Sequence, residues 1–407
     1  MRTLAEIGGA VTGSAADGKW KSYFCLARRW PIVCAVIFGG GSGALAWSGS
    51  VPALAIAPLV VLLWSRQATR GHGASVILAY YLMAAWGLPV GAAQFYGEYL
   101  PIALPVALWL GASLLLSLPW WLMWGHGGFY WRVPIALILC IVPPIGLVGW
   151  ANPVTAAGLF FTAMGWFGLV AMVCAIVALC YWPWSTAVAL AFSAFTGAIG
   201  DVPALTWIRA VDTSYGGSGF GERDFAQDYH ANQNLIRRAL EAETPVTVFP
   251  ESVAGRWSPT TEALWADASQ RLRHKGQSVL VGTEIPVAGT GKYHNALNVI
   301  GAQRGQWIQR IPVPFAMWRP WSGEGASANP IGNGTGLLNG QRTAVFICYE
   351  QLLVWPMLLS QAASPELIIG AGNSYWASGT NLAAIQRATL AAWARLYGQP
   401  VVTAFNY

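Results

Sequence analysis

Apolar positions in the first two hundred residues come in runs rather than in alternation. Seven such stretches follow one another, at 31–48, 52–65, 74–96, 101–124, 133–149, 154–181 and 184–200, broken by little more than Gly, Ser, Pro or Trp. Crossing the hydrocarbon of a bilayer takes about 20 apolar residues in a helix. The pattern therefore predicts about seven membrane helices, the second short and the sixth long. Beyond residue 200 the pattern shortens and alternates. Residues 204–211, 245–249, 278–286, 296–300, 343–348, 366–369 and 400–405 read as strands, with a turn over 289–293. Residues 228–241, 260–274 and 381–396 carry helical spacing. Strands interleaved with helices predict an α/β domain with helices packed on sheet faces.

Charge sharpens this division. The chain of 407 residues is 55% hydrophobic and only 10% charged, against about 25% charged in an ordinary soluble protein. Residues 1–200 hold 8 basic and 3 acidic side chains, and from Gly71 to Gly200 the only ones are Glu98 and Arg132. A water-facing surface is not built from such a stretch. The sequence thus reads as a tail over 1–30, a membrane domain over 31–200 and a water-soluble domain over 201–407. The tail is too long and polar for the n-region of a secretory signal. Net charge is +6 without a run of Lys or Arg longer than two, which excludes a basic nucleic-acid face; no direct nucleic-acid partner is expected.

Basic residues in short loops set orientation. Lys19, Lys21, Arg28, Arg29, Arg66, Arg70 and Arg132 all fall on one side of the expected spans, so the N-terminus reads as cytoplasmic. Seven spans then place 201–407 on the opposite face, the periplasm of a Gram-negative inner membrane. Many of the 23 tryptophans sit at span ends, as an interfacial aromatic belt requires; a lipid-binding cleft is the alternative use.

Four of six cysteines lie in apolar spans, where a thiol is a small packed side chain. Cys348 stands alone beyond residue 200, at the end of the apolar strand Ala-Val-Phe-Ile-Cys-Tyr-Glu. Active sites of α/β domains gather at strand C-termini, although a buried core cysteine would leave the same pattern. Glu251 likewise follows an apolar strand. If both strands belong to one parallel sheet, Glu251 and Cys348 meet at one edge, and a buried carboxylate there has the raised pKa that a base toward a thiol needs. A surface turn residue or a helix-start acid is the plainer reading of Glu251 alone.

Taken together, these stretches resemble the carbon–nitrogen hydrolase (nitrilase) superfamily. Val-Phe-Pro-Glu-Ser at 248–252 resembles its glutamate motif, and Ile-Cys-Tyr-Glu at 347–350, with Cys348 97 residues after Glu251, its nucleophile motif. Asn373-Ser-Tyr-Trp376 and the helix bearing Gln386, Arg387 and Ala388 resemble the segment after the nucleophile. Val313-Pro314-Phe315 resembles the apolipoprotein N-acyltransferase branch, whose members also place a multi-span membrane domain before the hydrolase domain. Within this group, the 309–314 and 317–321 stretches resemble conjugal transfer proteins carried on plasmids.

The resemblance implies an α-β-β-α sandwich and a thioester mechanism without cofactor or metal. Glu251 is then the base, Cys348 the nucleophile, and a lysine the oxyanion donor. Tyr349, Glu350, Asn373 and Trp376 are the implied binding residues, a membrane lipid or lipoprotein acyl group the implied substrate, and conjugation-apparatus proteins the implied partners. Three departures stand out. Gln309 occupies the position of the lysine, with Arg310 beside it as a substitute donor whose side chain would point to the other face of a strand. Met317 replaces a second glutamate. The chain stops at Tyr407, where the branch continues with further strands and a span. Three readings stay open: a cysteine enzyme acting on acyl or amide groups (a true apolipoprotein N-acyltransferase among them), a catalytically weak scaffold of the conjugation apparatus, and a transporter-like protein. The last is disfavoured because no charge lies mid-span.

Overall fold

In the computed structural model, which describes residues 32–96, 103–197, 205–216 and 224–407, the first half is helical throughout. Its helices are α1 (Ile32–Ala46), α2 (Leu59–Ser65), α3 (Arg70–Ala84), α4 (Leu88–Tyr96), α5 (Ala103–Met123), α6 (Phe129–Ile141), α7 (Ala157–Phe160), α8 (Gly165–Tyr181) and α9 (Pro183–Gly197). One of them, α5, is long and apolar enough to cross a membrane. The number rises to three if the bent pairs Arg70–Ala84 with Leu88–Gln94 (41°) and Pro153–Phe160 with Gly165–Tyr181 (119°) each count as one span. The seven expected stretches thus all carry helix, but most are divided into shorter pieces by Gly, Pro and Ser. The tail over 1–30 lies outside the described residues.

The second half contains strands β1 (Ile208–Ala210), β2 (Val246–Val248), β3 (Ser278–Pro286), β4 (Gly291–Gly301), β5 (Gly305–Ile308), β6 (Glu324–Ala326), β7 (Thr335–Leu338), β8 (Gln341–Ile347), β9 (Leu367–Asn373) and β10 (Val401–Asn406). Its helices are α10 (Phe225–Glu241), α11 (Pro259–His274), α12 (Val354–Ala362) and α13 (Leu382–Tyr397). Local chemistry sets their limits. Asp224 and Gln227 form a reciprocal capping box at the start of α10, and Ser258 caps α11 with Pro259 in its first turn. Gly398, in the left-handed region, stops α13.

One sheet runs β1-β2-β3-β4-β5, with β6 paired to β4, and the other runs β10-β9-β8-β7. β1, β2 and β3 are parallel, as are β8, β9 and β10, and antiparallel strands complete each sheet. The sheets pack face to face through Val246, Val248 and Leu280 on one side and Val345, Ile347 and Ile369 on the other. The outer face of the first sheet is covered by α10 and α11 through Leu235, Trp265 and Leu272. The outer face of the second carries α13, so the layers are α-β-β-α. β9 is buried at all seven positions, which is why its sequence runs apolar instead of alternating.

The two halves share a core. Trp393 and Leu396 of α13, Phe346 of β8 and Trp47, Trp64 and Trp120 of the helical half belong to one buried cluster. At Gly158 in α7 a Cβ would overlap the carbonyl of Ala392, so only glycine permits that approach.

Candidate active site

Glu251 and Cys348 meet, but not along one sheet. β2 ends just before Glu251 in the six-stranded sheet, and β8 delivers Cys348 from the four-stranded sheet. The expectation of a single parallel sheet is corrected by the sandwich: stacking the two sheets brings both strand ends to one edge. Glu251 is 3% exposed and Cys348 5%. Cys348 starts a short helical turn over Cys348–Leu352 with φ of 53°, and Ser252 beside Glu251 has φ of 54°. A side chain beyond glycine in this left-handed region costs about 1–3 kcal/mol and persists only where the surroundings hold it, commonly at functional sites.

Glu251 is held on both oxygens. Asn295 Nδ2 donates to Oε1 at 2.6 Å and the Asn373 backbone N–H donates to Oε2 at 2.9 Å. Burial nonetheless pushes its carboxyl up to about 7, against the pull of Cys348, Asn295 and Asn373. The Cys348 thiol is within hydrogen-bonding reach of Glu251. Burial and then the Glu251 charge push it well above the usual thiol range, while the backbone N–H groups of Asn373 and Tyr349 work the other way. The resting pair is therefore a thiol facing a base that ionises near neutrality, an arrangement for proton transfer during attack rather than for a standing thiolate.

Gln309 is buried behind this pair instead of facing it. Its Oε1 accepts from Asn295 Nδ2 at 2.8 Å, and its Nε2 donates to the Ile347 carbonyl at 2.9 Å. It fixes Asn295, which fixes Glu251. Arg310 and Glu350 form a buried ion pair at 3.3 Å. Glu350 also accepts the backbone N–H groups of Arg310, Ile311 and Ile347, and Arg310 donates to Ser360 and to the carbonyl of Pro356. Neither lines the cavity that reaches Cys348, so the structure gives both a bracing place and does not bring Arg310 to the thiol. Lys275 is exposed and donates to the Leu240 carbonyl, and Lys292 does not line the cavity either.

That cavity, about 420 Å³, joins the two halves. Its polar end is formed by Glu251, Cys348, Glu284, Tyr293 and Asn373, and its apolar walls include Leu88, Ala92, Leu108 and Leu115 from α4 and α5. Tyr349 and Trp376 also line it. Tyr349 is anchored to the helical half by its hydroxyl, which donates to the Leu147 carbonyl at 3.2 Å. Trp376 packs against Gly91 of α4 so closely that a Cβ there would displace the ring. The sequence reading missed Asn295, Glu284 and Tyr293. Asn295 did leave a signal, an amide within the apolar run Asn-Ala-Leu-Asn-Val-Ile, because a polar side chain buried in a strand needs a partner. Among the described residues there is no group of three or more His, Cys, Asp or Glu that could hold a metal ion.

The family model for carbon–nitrogen hydrolases matches residues 292–395, a segment that contains Gln309 and Cys348 but not Glu251. The conjugal transfer protein TraB of Agrobacterium fabrum is 37% identical over 404 residues, covering 93% of both chains. A probable conjugal transfer protein TraB of Sinorhizobium fredii is 37% identical over 386 residues, 89% of this chain and 95% of that one. Among solved structures, an amidase from Nesterenkonia sp. AN1 aligns at 12% identity and a TM-score of 0.35, over 48% of this chain and 78% of the amidase.

Proposed function

The chain belongs to the family of the conjugal transfer protein TraB and carries a carbon–nitrogen hydrolase domain, and from that premise we propose that it is an inner-membrane cysteine enzyme that supports plasmid conjugal transfer by moving an acyl group through a thioester. The observation that carries this reading is the cavity itself. It exposes a base-paired thiol to a slot walled by Leu88, Ala92, Leu108 and Leu115 of the apolar helices, the environment that an acyl chain needs. Large apolar side chains on the outside of the helical half, such as Phe167, Val170, Phe192 and Phe195, support a lipid environment. The basic residues in its loops support a cytoplasmic N-terminus and a periplasmic hydrolase domain.

In the first step Glu251 takes the thiol proton as Cys348 Sγ attacks the acyl carbon. The Tyr349 N–H, aimed at the sulfur region, is placed to donate to the developing oxyanion. The donor's leaving group takes the proton from Glu251 and departs, leaving a thioester on Cys348. Glu251 then takes a proton from water or an amine as that nucleophile attacks the thioester carbon, the carbon–sulfur bond breaks, and Glu251 returns the proton to sulfur. No lysine assists, and loss of one oxyanion donor slows such reactions by about 100–1000-fold, so turnover is slow. The test is a series of p-nitrophenyl esters from butanoate to dodecanoate with the full chain in detergent. Acylation should accelerate with chain length and disappear in Cys348→Ala; a rate that ignores chain length, or survives in Cys348→Ala, rejects the reading. A catalytically weak scaffold of the conjugation apparatus is the second reading, favoured by Gln309 standing where the superfamily has lysine.

A further inference from the structure

The polar end of the cavity carries more acid than thioester chemistry uses. Beside Glu251 it presents a second carboxylate, Glu284, and the phenol of Tyr293. In the β3–β4 ladder Glu284 lies opposite Asn295, and Tyr293 is two residues from Asn295. Period-two alternation therefore puts all three side chains on one face, the face that serves Glu251. Burial pushes Glu284 up to about 7, Arg256 draws it down and Asp228 adds to the rise. Tyr293 is raised by burial and then by the charges of Glu284 and Glu251, with Arg319 pulling the other way, which places its hydroxyl in the field of both carboxylates.

Arg256 and Arg319 act on these groups through space only, without an ion pair or hydrogen bond to either. Among the described residues neither the Glu284 carboxylate nor the Tyr293 hydroxyl has a hydrogen bond or ion pair. No Lys or Arg lines the cavity. A carboxylate drawn out of water without a donor is unfavourable, and a ligand that brings positive charge together with N–H donors supplies what is missing. The superfamily's other glutamate position is Met317 here, which lines the same cavity as an apolar wall.

We propose that Glu284 and Tyr293 form an ammonium-binding subsite in the cavity, holding a primary alkylammonium group of the substrate beside Cys348. The Glu284 carboxylate accepts two of its N–H bonds and the Tyr293 oxygen a third. What the ammonium does there rests on the acyl-transfer reading; its binding does not. The ammonium belongs either to the amine that receives the acyl group or to the head group of the acyl donor.

Protection of Cys348 tests the subsite. The full chain in dodecyl maltoside is alkylated with iodoacetamide, with intact mass as the readout, in the presence of hexylammonium chloride or of hexan-1-ol as the neutral control. Hexylammonium should slow alkylation saturably in the wild type. Glu284→Gln should raise the half-protecting concentration about tenfold, and Tyr293→Phe about threefold, in line with loss of hydrogen bonds to a charged group. Hexanol should protect all three proteins alike. The proposal is overturned if hexylammonium protects the wild type no better than hexanol, or if both variants keep the wild-type half-protecting concentration. A second arm loads Cys348 from p-nitrophenyl octanoate and then adds hexylamine. Release of N-hexyloctanamide identifies the ammonium as the acceptor: it first gives one proton to a cavity carboxylate, the free amine nitrogen then bonds to the acyl carbon, the carbon–sulfur bond breaks, and sulfur gains the second proton that nitrogen gives up. Protection without amide assigns the ammonium to the donor's head group. If no thioester forms, the acyl-transfer reading falls, while protection by hexylammonium still decides the subsite.

Discussion

In the proposed reaction Glu251 and Cys348 divide the work of one acid–base pair, and the division should show in pH. The Glu251 carboxyl ionises near 7, so alkylation of Cys348 should rise with pH through about 7 and level off above it. Glu251→Gln should remove that step and slow alkylation at pH 8. The same shift bears on stability. A carboxyl whose folded pKa lies above its unfolded value of about 4.3 favours folding most when protonated, and that contribution is lost as pH rises from about 4.3 to about 7. Glu251→Gln should flatten this part of the curve. Gln309→Lys places a cation next to Asn295 and near Glu251; an opposite charge at such range lowers a carboxyl by about 1–3 units, so the alkylation step should move to lower pH. An unmoved step would mean that the introduced ammonium points elsewhere. The sequence made Cys348 and Glu251 legible because each ends an apolar strand. It could not show that Gln309 acts through Asn295, since that contact lies across the β4–β5 hairpin and β5 is too short to be read as a strand.

Among the elements, the most demanding junction is where β3 passes the Glu251 turn. The Gly282 N–H donates to the Pro250 carbonyl at 3.1 Å, and the Ala254 N–H donates to the Gly282 carbonyl at 3.0 Å. A Cβ on Gly282 would run into the backbone of Pro250, Glu251 and Ser252. Gly282→Ala should therefore push Glu251 away from Cys348, lowering acylation at least tenfold and the unfolding free energy by about 1–3 kcal/mol. Wild-type acylation in this variant would show that the turn relaxes without moving the carboxylate. Long strands and helices were readable from their periods: β3 matches its predicted range, and α10 and α11 begin within three residues of theirs. The strands β5, β6 and β7 escaped because each has only three or four residues and is partly exposed, so no apolar run marks it as one marks the equally short but fully buried β2. The turn expected over 289–293 is shorter, since β4 already begins at Gly291.

For the whole molecule, the proposed membrane orientation of the hydrolase domain is the reading to test. Composition separates the halves cleanly, yet it could not reveal that they share one buried cluster and one cavity. That union comes from side chains such as Trp376 against Gly91 and Tyr349 against Leu147. A reporter active only in the periplasm, fused after Tyr407, should be active, and a cytoplasm-only reporter at the same place should be silent. The opposite result would overturn the orientation drawn from Arg66, Arg70 and Arg132.

A live thiol at the meeting of the two halves is the center of this account. Intact-mass analysis of the full-length protein, purified in detergent and treated with p-nitrophenyl octanoate, reads it directly. One added octanoyl group is expected, mapped to Cys348, removed by hydroxylamine, and absent from both Cys348→Ala and Glu251→Gln. An unmodified wild-type protein, or an adduct that persists in Cys348→Ala, would contradict it.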